Sequence, residues 1–284
     1  MNAAKPSSQF NIWRSDHLFN IDFASYTLTH HHFPRHFHDH YVIEFVVNGI
    51  DEFYCDGQNY AAQSQQFVLI NPGEVHTGNT VSDIPLRYYS LYPDLTALEK
   101  IASALSIDLP ANFCFQHSLI DQSRTTSKFK RLFDALVMDT EPLLQQQLLL
   151  DCMNDLLQSS SKTSEPPIRC EKDQRVKTVI DYIRCHYKQP VTLDELAREV
   201  RLNPFYLVRL FKKCVSISPY EYLLIVRAEK AKQLLRKGVK VMDAATETCF
   251  FDSSHFNRMF YKLSATSPRS FRSSKSQYRT SFAG

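Results

Sequence analysis

The stretch Leu207-Val-Arg-Leu-Phe-Lys-Lys213 returns 49 residues later as Phe256-Asn-Arg-Met-Phe-Tyr-Lys262, with apolar, arginine, phenylalanine and lysine positions in the same frame. Side chains three and four apart share one face of a helix, which turns Leu207, Leu210, Phe211 and Cys214 inward in the first copy. Phe256, Met259, Phe260 and Leu263 take the inward places of the second. The outward face of the first copy then carries Phe205, Val208, Arg209 and Lys212, and that of the second carries Ser254, Asn257, Arg258 and Tyr261. Ser218-Pro219 recurs at the same shift as Ser267-Pro268, so the duplication extends past both helices.

Start and stop signals frame the repeat. Thr192-Leu-Asp-Glu195 is a capping box, in which threonine oxygen and glutamate satisfy each other's orphan amides, and it predicts a short helix through Val200. Asn203-Pro204 opens the next helix, with proline where its missing N–H costs nothing. Between the copies, Ser218-Pro-Tyr-Glu221 is a second capping box, and Gly238 marks the stop of the helix it begins. From Pro219 to Lys237 that helix spans roughly 28 Å at about 1.5 Å per residue. Val176, Val179, Ile180 and Ile183 predict one further helix upstream.

A short helix, a tight turn and a second helix with a basic outward face form a helix-turn-helix, whose second helix enters the major groove. Two such units joined by a helix of this length could reach successive grooves, about 34 Å apart. Arg209 and Arg258 hold equivalent places suited to bidentate contact with guanine or to clamping a phosphate. Ser253, Ser254 and Asn257 can hydrogen-bond base edges, Phe205 and Val208 can touch thymine methyls, and Lys212, Lys213, Lys262, Arg269 and Arg272 suit phosphates.

The net charge of +3 conceals a division. Residues 1–164 carry 10 Lys and Arg against 18 Asp and Glu, whereas residues 165–284 carry 23 against 12. The polar, proline-containing stretch from Gln158 to Pro167 falls at the break and reads as a linker. A basic second part implies a polyanionic partner, and an acidic first part implies a different task. The chain is expected to be α+β, with an acidic domain over 1–160, a linker over 161–170 and an all-α domain over 171–284. No apolar run is long enough for a membrane span and MNAAKPSSQF is not a signal peptide, so the cytoplasm is the expected location. Seven cysteines with no C-x-x-C pair predict small, mostly buried side chains rather than disulfides or a zinc knuckle.

In the first part, short β-branched and aromatic runs alternate with turns: Tyr41–Val47, then Phe53–Tyr60 around Asp56-Gly57, Phe67–Ile70 before Asn71-Pro72-Gly73, and Arg87–Tyr92. This spacing predicts an antiparallel sandwich or barrel. Residues 94–106 and 126–158 read as helices, and the leucine-rich face of the latter suits either a dimer interface or packing on its own barrel.

Residues 176–272 resemble the two-motif DNA-binding domain of the AraC/XylS family of bacterial transcription regulators. The resemblance is carried by Leu193, Leu196-Ala197, Leu207-x-Arg-x-Phe-Lys-Lys213, Ser218-Pro-x-x-Tyr222, Arg227-x-x-x-Ala231, Leu234-Leu235, Ala245, Phe250-x-Asp252, Phe256-x-Arg258-x-Phe260 and Ser267-Pro-x-x-Phe-Arg272. It implies promoter DNA and RNA polymerase as partners, a homodimer, no enzyme activity, no cofactor, and activation of transcription. Arg201, Ser216, Cys249 and Ala265 stand where the family usually has glycine, which implies turns with φ > 0 strained by about 1 kcal/mol each.

Six of the eleven histidines fall between residues 30 and 40. His38-x-His40-x-x-x-Glu44 followed by Pro72-Gly-Glu-Val-His76 resembles the two half-motifs of cupin barrels, with His36-x-His38 as another first pair. The resemblance implies a pocket for a small polar effector lined by Arg35, His36, His38, Glu44, Tyr54, His76 and Tyr88. The alternative is a metal-loaded sensor or a metal-dependent cupin enzyme, with ligands drawn from His36, His38, His40, Glu44 and His76.

Overall fold

The computed structural model describes residues 9–14, 16–81, 84–160 and 173–273. The expected linker, 161–170, lies outside the described residues. Two compact units result, Met1–His32 with His38–Pro166, and Pro167–Gly284 with Phe33–Phe37. The strand holding that last short segment is hydrogen-bonded within the first unit's sheet, and it is described there.

Ten strands build the first unit: β1 (Gln9–Arg14), β2 (Asp22–Leu28), β3 (His32–His36), β4 (Val42–Asn48), β5 (Asp51–Cys55), β6 (Gln58–Ala62), β7 (Gln66–Ile70), β8 (His76–Thr80), β9 (Leu86–Tyr92) and β10 (Leu119–Asp121). They form two facing sheets, ordered β1-β2-β9-β4-β7-β10 and β3-β8-β5-β6. The turn predicted at Asp56-Gly57 joins β5 and β6, with both residues at φ > 0 (51° and 79°), as a tight hairpin requires. Strands β1, β2, β3, β8 and β10 lack a clean apolar alternation; their neighbours in the sheets define them.

Side-chain alternation gives the larger sheet two different faces. Phe23, Ile43, Phe45, Phe67, Leu69 and Leu91 point to one side and join a core with α1 (Leu95–Ala104), α2 (Ser123–Val137) and α3 (Pro142–Ser160). The expected helical span 126–158 is therefore two helices. Asp139 takes a left-handed φ of 49° and Pro142 begins α3, where its lack of an N–H is harmless, so the chain reverses. Lys128 and Asp155 clasp the pair at 2.6 Å. Most of the leucine-rich face of α3, including Leu148, Leu149, Leu156 and Leu157, packs into this unit's own core, while Leu143 and Leu144 are exposed.

The second unit is all helix: α4 (Gln174–His186), α5 (Leu193–Glu199), α6 (Pro204–Val215), α7 (Pro219–Arg236), α8 (Val241–Glu247), α9 (Ser253–Ser264) and α10 (Pro268–Ser273). Both capping boxes form, at Thr192 with Glu195 and at Ser218 with Glu221. Helix α7 is the buried axis of the unit, and its Arg227 donates to the carbonyls of Tyr187 and Gln189, each at 2.9 Å, tying the axis to the end of α4. Of the six cysteines described, only Cys55 and Cys152 are buried, and Cys185 is exposed, so the expectation of mostly buried cysteines is corrected. Among the described residues no helix is long and apolar enough to cross a membrane.

Candidate nucleic-acid interface and barrel site

The two helix-turn-helix motifs are α5–α6 and α8–α9, and their turns are built alike. After α5, the Leu202 amide bonds the Ala197 carbonyl at 2.9 Å and the Arg201 amide bonds that of Arg198 at 3.1 Å. After α8, the Phe250 amide bonds Ala245 at 3.0 Å and the Cys249 amide bonds Thr246 at 3.0 Å. Both are Schellman closures with a left-handed residue at the bend, Arg201 at φ 52° and Cys249 at φ 56°. The recognition helices end alike too, with Ser216 (φ 67°) and Ala265 (φ 52°) left-handed and bonded to Lys212 and Tyr261 at 2.9 Å. All four residues standing in glycine's place thus adopt the conformation glycine favours.

The copies differ in two respects. Asn203 caps α6 and Asp252 caps α9, each side chain accepting a backbone amide, but the second turn holds one residue more. The extra residue is Phe251, 83% exposed and set just ahead of the Asp252 cap. The 49-residue shift aligns the recognition helices and not the turns, so the repeat itself does not mark this insertion. The second difference is at the helix preceding each turn: α5 begins with a capping box, whereas Lys240 gives α8 no side-chain cap.

On both recognition helices the apolar and basic faces separate, although Leu210, Cys214 and Met259, expected inward, are only half-buried. Leu207 and Phe211 are buried, as are Phe256 and Phe260, while Arg209, Lys212, Lys213, Ser253, Ser254, Asn257, Arg258 and Lys262 are exposed. Phe205 stands 80% exposed. Val208 is half-buried instead and lines an apolar hollow of about 190 Å³ with Ile183, Leu193, Leu196, Tyr220 and Leu223. An exposed basic face interleaved with aromatic and amide side chains suits DNA, with arginine reading bases and lysine bonding phosphates.

The barrel site lies on the other side of the larger sheet, between it and the smaller one. Glu44 on β4 pairs in register with Ser90 on β9, Val46 with Tyr88, and Tyr26 on β2 with Tyr88. These residues face away from the helical core. Burial pushes the Glu44 carboxyl well above the usual carboxylate range, and the neighbouring Asp51 on β5 reinforces the shift. Burial likewise raises Asp51, to about 7, although the Asn79 amide donates to it at 3.1 Å. Two carboxyls this close in a dry interior cannot both ionise, so they share a proton. Glu44 Oε1 is buried without a hydrogen-bond partner. Burial, with Glu44 next in effect, also raises the phenol of Tyr88.

The histidines separate into two groups. His36, His38 and His76 come together, one ligating nitrogen from each within 4.8 Å of the others, whereas His40 and Glu44 do not join them. His40 instead stacks on His38, ring centres 5.0 Å apart. The turn Asn71-Pro72-Gly73 brings β8 alongside: the Gly73 amide donates to the His38 carbonyl at 2.8 Å, and Glu74 accepts from the Asn71 amide at 2.8 Å. Of the other expected lining residues, Arg35 is exposed, Tyr54 half-buried and Tyr88 buried.

A two-sheet barrel of buried polar groups and a helical unit with two basic recognition helices define a DNA-binding regulator that carries a separate ligand-binding domain. Residues 18–153 match the AraC-like ligand binding domain and residues 196–274 match a helix-turn-helix domain. The chain is 30% identical over 225 residues to the uncharacterized HTH-type transcriptional regulator YbfI of Bacillus subtilis, covering 78% of this chain and 81% of that protein. It is 25% identical to the HTH-type transcriptional activator RhaS of Klebsiella pneumoniae, covering 84% and 87%. The structure of apo ToxT K231A from Vibrio cholerae shares the fold at a TM-score of 0.58 with 13% identity, over 94% of this chain and 97% of that one. The chain belongs to the AraC family of transcriptional regulators, and it is a regulator rather than an enzyme.

Proposed function

We propose that this protein is a cytoplasmic, homodimeric transcription activator that binds promoter DNA through α6 and α9, engages RNA polymerase, and answers to a small polar effector held in the barrel. Residues 1–160 serve sensing and dimerisation, 161–170 link, and 171–284 bind DNA. The observation that carries the reading is the pair of matched frames in which Arg209 and Arg258 stand exposed on capped, repeated helices. Phe205, Val208, Arg209, Lys212 and Lys213 contact one half-site, and Ser253, Ser254, Asn257, Arg258 and Lys262 the next. Activation is supported by the RhaS relatives, which are named activators.

His36, His38, Glu44, His76 and Tyr88 supply the interior polar groups for the effector, with Tyr54 and Arg35 nearer the surface. An effector can shift DNA binding only if it binds one state of the protein more tightly than the other, and the coupling is reciprocal. A thermal-shift screen of sugars, amino acids and carboxylates on the full chain tests this. A compound that raises the melting temperature is expected to change promoter affinity by the same factor as promoter DNA changes its own. Silence across the screen would remove effector control from the proposal and leave DNA binding intact.

A further inference from the structure

We propose that Phe251 is a specificity-determining residue, seating its ring against a thymine methyl in the half-site served by α9. The inference rests on the DNA reading proposed above and adds a residue that lies outside the recognition helix and has no counterpart in the first motif. Exposure is the first observation. Among the described residues the two most exposed large apolar side chains are Phe251 at 83% and Phe205 at 80%. Both stand at the N-terminal end of a recognition helix, the end whose residues meet base edges in a helix-turn-helix. A phenylalanine left in water contributes little to folding, whereas covering it on binding removes apolar surface from water.

The second observation is how firmly the residue is held. On one side the Phe250 amide bonds the Ala245 carbonyl at 3.0 Å, and the Phe250 ring is buried with its centre 5.0 Å from that of Phe256. On the other side Asp252 Oδ1 accepts the His255 amide at 2.6 Å and caps α9. Consecutive phenylalanines thus part company, Phe250 in the core and Phe251 in solvent. A backbone fixed at both ends has little freedom left to lose on binding. The residues that follow the cap, Ser253 and Ser254, are exposed too, so the ring stands beside hydroxyls able to bond base edges.

The chemistry selects thymine. A phenyl ring offers no hydrogen bond, and the apolar group on a major-groove base edge is the C5-methyl of thymine. In the 49-residue frame Phe205 corresponds to Ser254, so the second motif carries its aromatic ring three residues earlier in the chain. The two half-sites are therefore expected to set this thymine at different distances from the contact made by Arg209 or Arg258.

The probe is a duplex enriched from random-sequence DNA by the full-length wild-type chain, with each thymine replaced in turn by deoxyuridine, which lacks only the methyl. Binding is read by fluorescence anisotropy. Expected is one position where deoxyuridine weakens wild-type binding about fourfold, the worth of one buried methyl group. Phe251→Ala should bind the unmodified duplex about fourfold more weakly and be indifferent to deoxyuridine at that position, while Phe205→Ala keeps its sensitivity there. Thermal unfolding of Phe251→Ala should match wild type, because the side chain is exposed. Wild-type affinity of Phe251→Ala for the duplex would overturn the inference, even if transcription in vitro fell, since that would assign the ring to a protein partner. So would a wild-type chain indifferent to deoxyuridine at every position, a result that needs no variant to fold. If wild type enriches no sequence at all, the DNA reading itself falls and this inference with it.

Discussion

The two units of this chain place their functional groups in opposite surroundings. On the helical unit Arg209, Arg258 and their neighbours are exposed, repeated, and held by caps that recur from one motif to the next. In the barrel Asp51 and Tyr88 are buried and Glu44 is half-buried with its Oε1 inside; the three are unrepeated and altered by one another's proximity. An exposed recognition surface needs only a helix of the right period with arginine at the right frame. A buried polar site needs several strands to deliver their side chains to one dry volume, and its chemistry arises from that meeting.

The contrast is sharpest in pH dependence. The Asp51 carboxyl is raised in the folded state from 3.8 to about 7, so the native protein holds a proton that the unfolded chain has lost between those values. The stability this contributes is full below 3.8 and is lost as pH rises through about 7, a change on the order of a few kcal/mol. Trp13, the single tryptophan, packs against Phe133 in the barrel's core, so its fluorescence reports the unfolding of that unit. Denaturant midpoints followed by Trp13 are expected to fall from pH 4 to pH 8 in wild type and to flatten in Asp51→Asn. An unchanged slope in the variant would show that Asp51 is ionised in the native barrel.

On the helical unit, Arg209→Ala or Arg258→Ala is expected to cost about 1–3 kcal/mol of specific DNA binding and to relax preference within its own half-site. Lys213→Ala should weaken all sequences alike and reduce the salt dependence. Fluorescence anisotropy with operators mutated in one half-site at a time distinguishes these, and sequence-blind losses from both arginine changes would reduce them to phosphate contacts. Next in size, Thr192→Ala should lower stability by about 1 kcal/mol because it removes the cap of α5, whereas Lys240→Ala should have no measurable effect because α8 has no side-chain cap to lose. The smallest effect has the opposite sign: Ser216→Gly and Ala265→Gly are each expected to stabilise by about 0.5–1 kcal/mol, because the backbone there is already left-handed.

How far the sequence alone could be read follows the same division. The caps at Thr192, Asn203 and Ser218 and the inward faces of α6 and α9 were legible because each rests on contacts within a few residues. The four left-handed turns were legible through non-glycine residues in glycine's usual places. Phe251 escaped because a one-residue insertion in a turn leaves the helical period on either side intact. The span 126–158 read as continuous because nothing in its apolar pattern marks the left-handed bend at Asp139. Val208 looked outward on its own helix, and only packing beside Leu193 and Leu223 made it half-buried.

By itself, then, the sequence determined the duplicated helix-turn-helix, its basic faces and the division of charge, since these follow from periodicity and short-range hydrogen bonding. Tertiary structure decided the barrel's chemistry: that Glu44 meets Asp51, that His36, His38 and His76 converge while His40 stands aside, and that the Arg35 side chain is exposed. Strand alternation tells which residues share a face, but which faces meet across two sheets depends on strand order and register, set by contacts between residues far apart in the chain.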